Sequence, residues 1–162
     1  SIIADIRDYN KLFSEIRKSK ASIVFHLAAQ PLVRYSYINP KETFDTNFVG
    51  SLNVLECVRR LKNIKSTIII TTDKVYDNSR NKIFKETDKL GGLDPYSASK
   101  ACAELAIKSY VKSFFNNQQN IIGNQQLDDF DSIFSLFDKV HFSLDQLHMV
   151  QEGRHGIGRT NA

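Results

Sequence analysis

The 162 residues are 41% hydrophobic and 25% charged with a net charge of +4, a balance that suits one globular domain and excludes a disordered or fibrous chain. No apolar run reaches membrane-spanning length, and the opening SIIADIRDYN has neither the basic start nor the apolar stretch of a secretory signal, so the expected location is the cytoplasm, with no membrane partner. From residue 116 onward three basic residues face six acidic ones, a net of −3, which leaves +7 on the first 115; spread along helices without an aromatic-rich module, these charges predict solvated faces and no nucleic-acid partner.

Taken in chain order, the first expected element is a helix with Asp8 as its N-cap and Leu12, Phe13 and Ile16 behind it. The run IVFHLAA at 23–29 is apolar without alternation, the pattern of a strand buried on both faces of a parallel sheet. A long helix is expected after Pro40, with Phe44, Phe48, Leu52, Leu55 and Val58 as one buried stripe. A second buried strand follows at 66–72, STIIITT, and then a helix over 96–115 with Leu105, Tyr110, Val111 and Phe114 apolar. Helix, strand, helix, strand, helix implies right-handed crossovers in a doubly wound α/β sheet. The two cysteines, Cys57 and Cys102, fall inside helices without metal-ligand spacing and read as small buried side chains.

The composition changes at Asn116. NNQQNIIGNQQ is amide-rich and reads as a linker over 116–126, so that residues 1–115 form one domain and no further strand is expected. Over 127–150, Leu127, Phe130, Phe134, Phe137, His141, Leu144 and His148 recur at helical spacing, predicting an amphipathic helical tail. Residues 151–162 have no apolar periodicity and read as flexible. His141, His148 and His155 recur every seven residues but lack a carboxylate or cysteine constellation, so no metal is expected. Gly153, Gly156 and Gly158 have no strand before them and no helix after, which excludes a phosphate loop.

The chemistry-bearing signal is Tyr96-Ser-Ala-Ser-Lys100 at a helix start. Residues four apart share a helix face, about 5 to 6 Å between β-carbons, and an ammonium beside a phenol favours the phenolate and makes it usable as a base. Thr71-Thr72-Asp73-Lys74-Val75-Tyr76 leaves the second strand about one loop upstream, and His26-Leu27-Ala28-Ala29-Gln30 closes the first with small residues that let a flat cofactor approach the backbone. Active groups of open α/β sheets gather just outside the carboxyl ends of the strands. For His26, a cofactor role and a buried, hydrogen-bonded structural role stand equally open.

Four segments, HLAAQPLVRYSY, TNFVGSLNVLECVR, ITTDKVYD and LDPYSASKACAEL, resemble consecutive signatures of the CDP-glucose 4,6-dehydratase family, extended short-chain dehydrogenase/reductases, over Ala4 to about Phe115. The resemblance implies a partial Rossmann-type sheet and NAD as cofactor. It implies Tyr96 as the catalytic tyrosine, Lys100 as its partner on the nicotinamide ribose, and Thr72 as the hydroxyl near the reacting sugar oxygen. Ala28, Ala29 and Gln30 would line cofactor and sugar, and Asp5 and Ile6 would sit beside the adenine. Asp73 would be the acid for the departing hydroxyl. Lys74 stands where related dTDP-glucose enzymes carry glutamate, which points to CDP-glucose and leaves the carbon-5 base open. The basic first 115 residues suit an anionic nucleotide sugar, and full-length members are expected to form homodimers.

The same family opens with a strand, a glycine-rich turn and a helix that hold the cofactor pyrophosphate, and that unit is not among these residues. Nor is a carboxy-terminal sugar-binding domain. Two function classes follow: a piece of a lyase inactive by itself, and a non-catalytic remnant or interaction module that keeps the motifs by descent.

Overall fold

The structure, a computed structural model, describes residues 1–77, 84–85, 87–115 and 120–122. Helix α1 spans Tyr9–Ser19. Asp8 caps it as its spacing predicted, its carboxylate accepting the Lys11 amide at 3.0 Å, and Lys20 ends it in the left-handed conformation. Strand β1, Ile23–His26, follows, then α2, Val33–Ile38, and α3, Pro40–Phe44. One π-helical turn, Asp45–Val49, joins α3 to α4, Gly50–Arg60. Strand β2 is Ser66–Ile69, a 3₁₀ turn covers Asp73–Val75, α5 runs Pro95–Phe114, and β3 is Asn120–Ile122.

The three strands are parallel in the order β1-β2-β3. Parallel pairing requires each connection to cross over the sheet: α2 to α4 carry the first crossover and α5 the second. Helix α4 packs between α1 and α5, and together they close a core of Leu12 and Ile16 on α1, Val24 on β1, Val54, Leu55 and Val58 on α4, Ile69 on β2 and Ile107 on α5. Each such side chain contributes about 1.5 to 3 kcal/mol of burial. Cys57 sits in this core, where burial pushes its thiol up to about 12; Cys102 is only half-buried.

Several expectations are corrected. Both strands end sooner than their apolar runs, since residues 27–30 and 70–72 leave the sheet to form the loops at its carboxyl edge. The segment 116–126, expected to be a linker with no strand, contains β3; Ser66, Thr67 and Ile68 of β2 pair with Asn120, Ile121 and Ile122, so the core has three strands. The single apolar stripe over 44–58 is broken by the π turn: Phe44, Phe48 and Leu52 are half-buried, whereas Thr43, Asn47 and Ser51 are buried. On α5 the buried face is Tyr96, Ser99, Lys100, Ala103, Glu104 and Ile107, and Leu105 and Phe114 are exposed. The expected helical tail at 127–150 and the flexible end at 151–162 lie outside the described residues.

Candidate active site

Helix α5 starts where it does because three local devices agree. Pro95 occupies its first turn and Asp94 caps it, accepting the Ser97 amide at 3.0 Å and the Ser97 hydroxyl at 2.5 Å. Before them, Gly92 has φ of +120°, and a β-carbon there would lie 2.7 Å from the Ala98 amide nitrogen, so the turn into the helix needs glycine. The start is pinned to β2's loop by Tyr76, which bridges Leu90, and by Gly91, whose amide donates to the Val75 carbonyl at 2.8 Å.

This anchoring lays the first two turns of α5 against the loop after β2. Tyr96 is buried, and Lys100, 4% exposed, donates from Nζ to the Ile70 carbonyl at 3.3 Å. Two residues further along the loop the Thr72 hydroxyl accepts the Lys74 amide at 3.4 Å and donates to Asp73 Oδ1 at 3.1 Å. Thr72 is half-buried, Asp73 and Lys74 are exposed, and Ala101 packs on Val75 and Tyr76 beneath them. The structure therefore brings Thr72, Asp73, Lys74, Tyr96 and Lys100 to one edge of the sheet.

The loop after β1 reaches the same edge through Asn47, which lies in the TNFVGSLNVLECVR segment without a role assigned to it from sequence. Asn47, on the π turn and fully buried, accepts the Gln30 amide at 2.7 Å, donates to the Gln30 carbonyl at 3.1 Å and donates to the Ser99 hydroxyl at 3.0 Å. Ser99 in turn donates to the Tyr96 carbonyl at 2.7 Å. Gln30 also spends its own side chain structurally, donating to the Thr43 hydroxyl at 2.9 Å and accepting the Leu32 amide at 2.6 Å. A π turn in a helix marks functional sites often enough to have directed attention here, but its one-residue widening leaves no trace in residue type.

The remaining predicted residues lie as follows. Ala28 is buried in the core and Ala29 is half-buried. Ile6 points into the core, close enough to Gly50 that a β-carbon there would meet it at 2.8 Å, and its carbonyl accepts from Asn53 at 2.9 Å. Asp5 is exposed and pairs with Arg7 at 2.6 Å. The hydroxyls of Tyr96 and Thr72 and the amine of Lys100 have the chemistry to face the nicotinamide end of a dinucleotide. Among the described residues no glycine-rich turn leads from a strand into a helix, so these residues fit only that end.

His26 takes the structural side of its two readings. It is 2% exposed, and its Nε2 lies 3.0 Å from Ser51 Oγ. Ser51 gives its own proton to the Asn47 carbonyl at 2.7 Å, so Nε2 carries the ring proton and Nδ1 is left without a hydrogen-bond partner. Burial first, and the charge of Lys100 second, pull the ring down to about 4. A folded-state value below the unfolded 6.5 means that the unfolded chain binds the extra proton, so stability is complete above about pH 6.5 and is lost as pH falls towards 4. The loss is on the order of 3 kcal/mol by pH 4. Urea denaturation of wild type and His26→Gln between pH 7 and 4.5 checks this, and parallel pH profiles for the two would refute it.

The described residues hold no group of three or more His, Cys, Asp or Glu suited to a metal, and no described helix is long and apolar enough to cross a membrane. The family model described as GDP-mannose 4,6 dehydratase matches residues 2–125. The chain is similar to CDP-glucose 4,6-dehydratase of Salmonella typhimurium, 51% identical over 118 residues, 72% of this chain and 33% of that protein. It is also similar to dTDP-D-glucose 4,6-dehydratase of Dictyostelium discoideum, 34% identical over 75% of this chain and 32% of the relative. Its fold is similar to Thermus thermophilus UDP-glucose 4-epimerase in complex with NAD, TM-score 0.65 at 26% identity, covering 74% of this chain and 38% of that one. The dTDP-glucose 4,6-dehydratase of Streptomyces venezuelae, solved with NAD and TYD bound, gives 0.65 at 27% identity over 74% and 36%. The chain thus spans about a third of the length of the curated relatives it matches.

Proposed function

Because the chain belongs to the GDP-mannose 4,6-dehydratase family, whose model covers most of it, we propose that it contributes the catalytic edge of an NAD-dependent nucleotide-sugar 4,6-dehydratase acting on CDP-glucose. The observation that carries the reading is the buried Tyr96–Lys100 pair set against the Ile70–Asp73 loop. Lys74 supports the CDP-glucose branch, as does the 51% identity to the Salmonella enzyme.

In this reading Lys100, held by the Ile70 carbonyl, favours the phenolate of Tyr96, and the phenolate oxygen takes the proton of the sugar's 4-hydroxyl and becomes the phenol. Bound NAD would supply a hydride acceptor and donor for the sugar carbons. Thr72 orients the reacting oxygen, and Asp73, exposed beside it, gives a proton to the departing 6-hydroxyl as a base takes the carbon-5 proton and the 5,6 double bond forms. The pyrophosphate-binding turn and the sugar-binding part come from segments outside these residues, and a soluble location in the cytoplasm goes with the substrate.

Joined to those segments, the chain converts CDP-glucose to a 4-keto-6-deoxy product, read by proton NMR as a new carbon-6 methyl signal. Residues 1–162 alone give no turnover and no micromolar NAD binding by calorimetry. No methyl signal from the joined protein would sink the dehydratase reading, and micromolar binding by residues 1–162 would show that the turn is dispensable.

A further inference from the structure

Among the described residues, the mechanism above leaves the buried carboxyl group of Glu104 without a task. Glu104 is 2% exposed, on the same face of α5 as Tyr96 and Lys100, eight and four residues after them. A carboxyl group is rarely buried this deeply unless something holds it, and here the Thr71 hydroxyl donates to Glu104 Oε1. On the same helix Ile107 belongs to the hydrophobic core and Ala103 is buried.

What it touches gives its task. Three consecutive residues after β2 each have one job at the site: the Ile70 carbonyl accepts from Lys100, the Thr71 hydroxyl donates to Glu104, and Thr72 presents its hydroxyl beside Asp73. Of residues 70–72, Ile70 is held by its amide to the His26 carbonyl at 3.1 Å, and Thr71 and Thr72 lie beyond the paired residues of the strand. Lys100 and Glu104 lie one helical turn apart and grip adjacent residues of that loop, a two-point clamp between α5 and the end of β2.

We propose that Glu104 is a positioning residue: by holding Thr71 it fixes the Ile70 carbonyl that orients Lys100 and the Thr72 hydroxyl on the other side. The proposal rests on the dehydratase reading for its catalytic consequence, while its geometric content stands on the contacts alone. A clamp of this kind moves the rate of the chemical step more than substrate affinity, because misplacing reacting groups by about 1 Å costs up to about a hundredfold in rate.

Two measurements test it separately. In residues 1–162 labelled with ¹³C-lysine, Lys100 shows non-degenerate ε-methylene protons, the mark of an immobilised arm. These collapse in Glu104→Ala while the other lysine signals keep their positions, and Glu104→Gln, which still accepts from Thr71, retains them. In the protein joined to its cofactor-binding and sugar-binding segments, Glu104→Ala lowers kcat by about a hundredfold with KM changed less than about threefold. Glu104→Gln restores kcat to within about fivefold of wild type, and combining Glu104→Ala with Thr71→Val adds nothing to the single change. An Ala variant with wild-type kcat and unchanged Lys100 signals would overturn the proposal, as would a Gln variant as impaired as Ala in both measurements. Absence of turnover in the wild-type joined protein would count against the dehydratase reading alone, and the lysine spectra would still decide the role of Glu104.

Discussion

Tyr96→Phe is expected to lower kcat for CDP-glucose by about two to four orders of magnitude, the range of a lost general base, while the affinity for the nucleotide sugar stays within a few-fold. The phenylalanine ring fills the same buried space against α5 and the loop after β2, and the helix start does not depend on the hydroxyl: the cap is Asp94, and Ser99 holds the Tyr96 carbonyl, not its side chain. An effect confined to the phenol oxygen therefore appears in the chemical step and spares binding. Steady-state kinetics with equilibrium binding of the nucleotide sugar separates the two. Equal losses in kcat and affinity would mean that Tyr96 packs the site without reacting in it.

Asn47→Ala is expected to be the most destabilising change at the site, costing about 2 to 4 kcal/mol. The side chain is fully buried and makes three hydrogen bonds, two to the Gln30 backbone and one to Ser99. Alanine deletes all three and leaves the Gln30 amide and carbonyl to find water in a site with little room. A melting temperature lower by roughly 6 to 12 °C follows for a domain of this size. Val49→Ala, on the exposed side of the same turn, serves as the control and should stay within about 0.5 kcal/mol of wild type. A melting curve for Asn47→Ala that overlays the control would show that the Gln30 loop is held elsewhere.

Residue type carried some of this fold and concealed the rest for identifiable reasons. Asp8 as the cap of α1 depends on chemistry within one helical turn and was legible. Strands β1 and β2 were legible because parallel strands covered on both faces must be apolar along their length. Strand β3 was not: three residues among amides have no periodicity to display, and only pairing with Ser66–Ile68 makes them a strand. The inward face of the second helix was misread for a related reason. Phe44 and Phe48 supply the expected stripe, but over the strand ends the helix turns Thr43, Asn47 and Ser51 inward to meet Gln30 and His26. At such a place the buried side chains are chosen for hydrogen bonding, and hydropathy points the wrong way. Glu104 was passed over because a lone carboxylate in a helix resembles any solvated one until Thr71 is seen beside it.

The π turn at Asp45–Val49 has an implication for how this segment tolerates insertion and deletion. A π turn is a regular helix with one residue too many, and removing a single residue there restores α geometry without breaking the helix. By ordinary measures of local structure the shortened segment would look improved, with every backbone bond in the i to i−4 pattern. It would also change the spacing between Asn47 and Ser51 along the segment, so that they could not both keep their partners on Gln30 and His26. A lost codon at this point would thus leave a sound helix carrying a dismantled site.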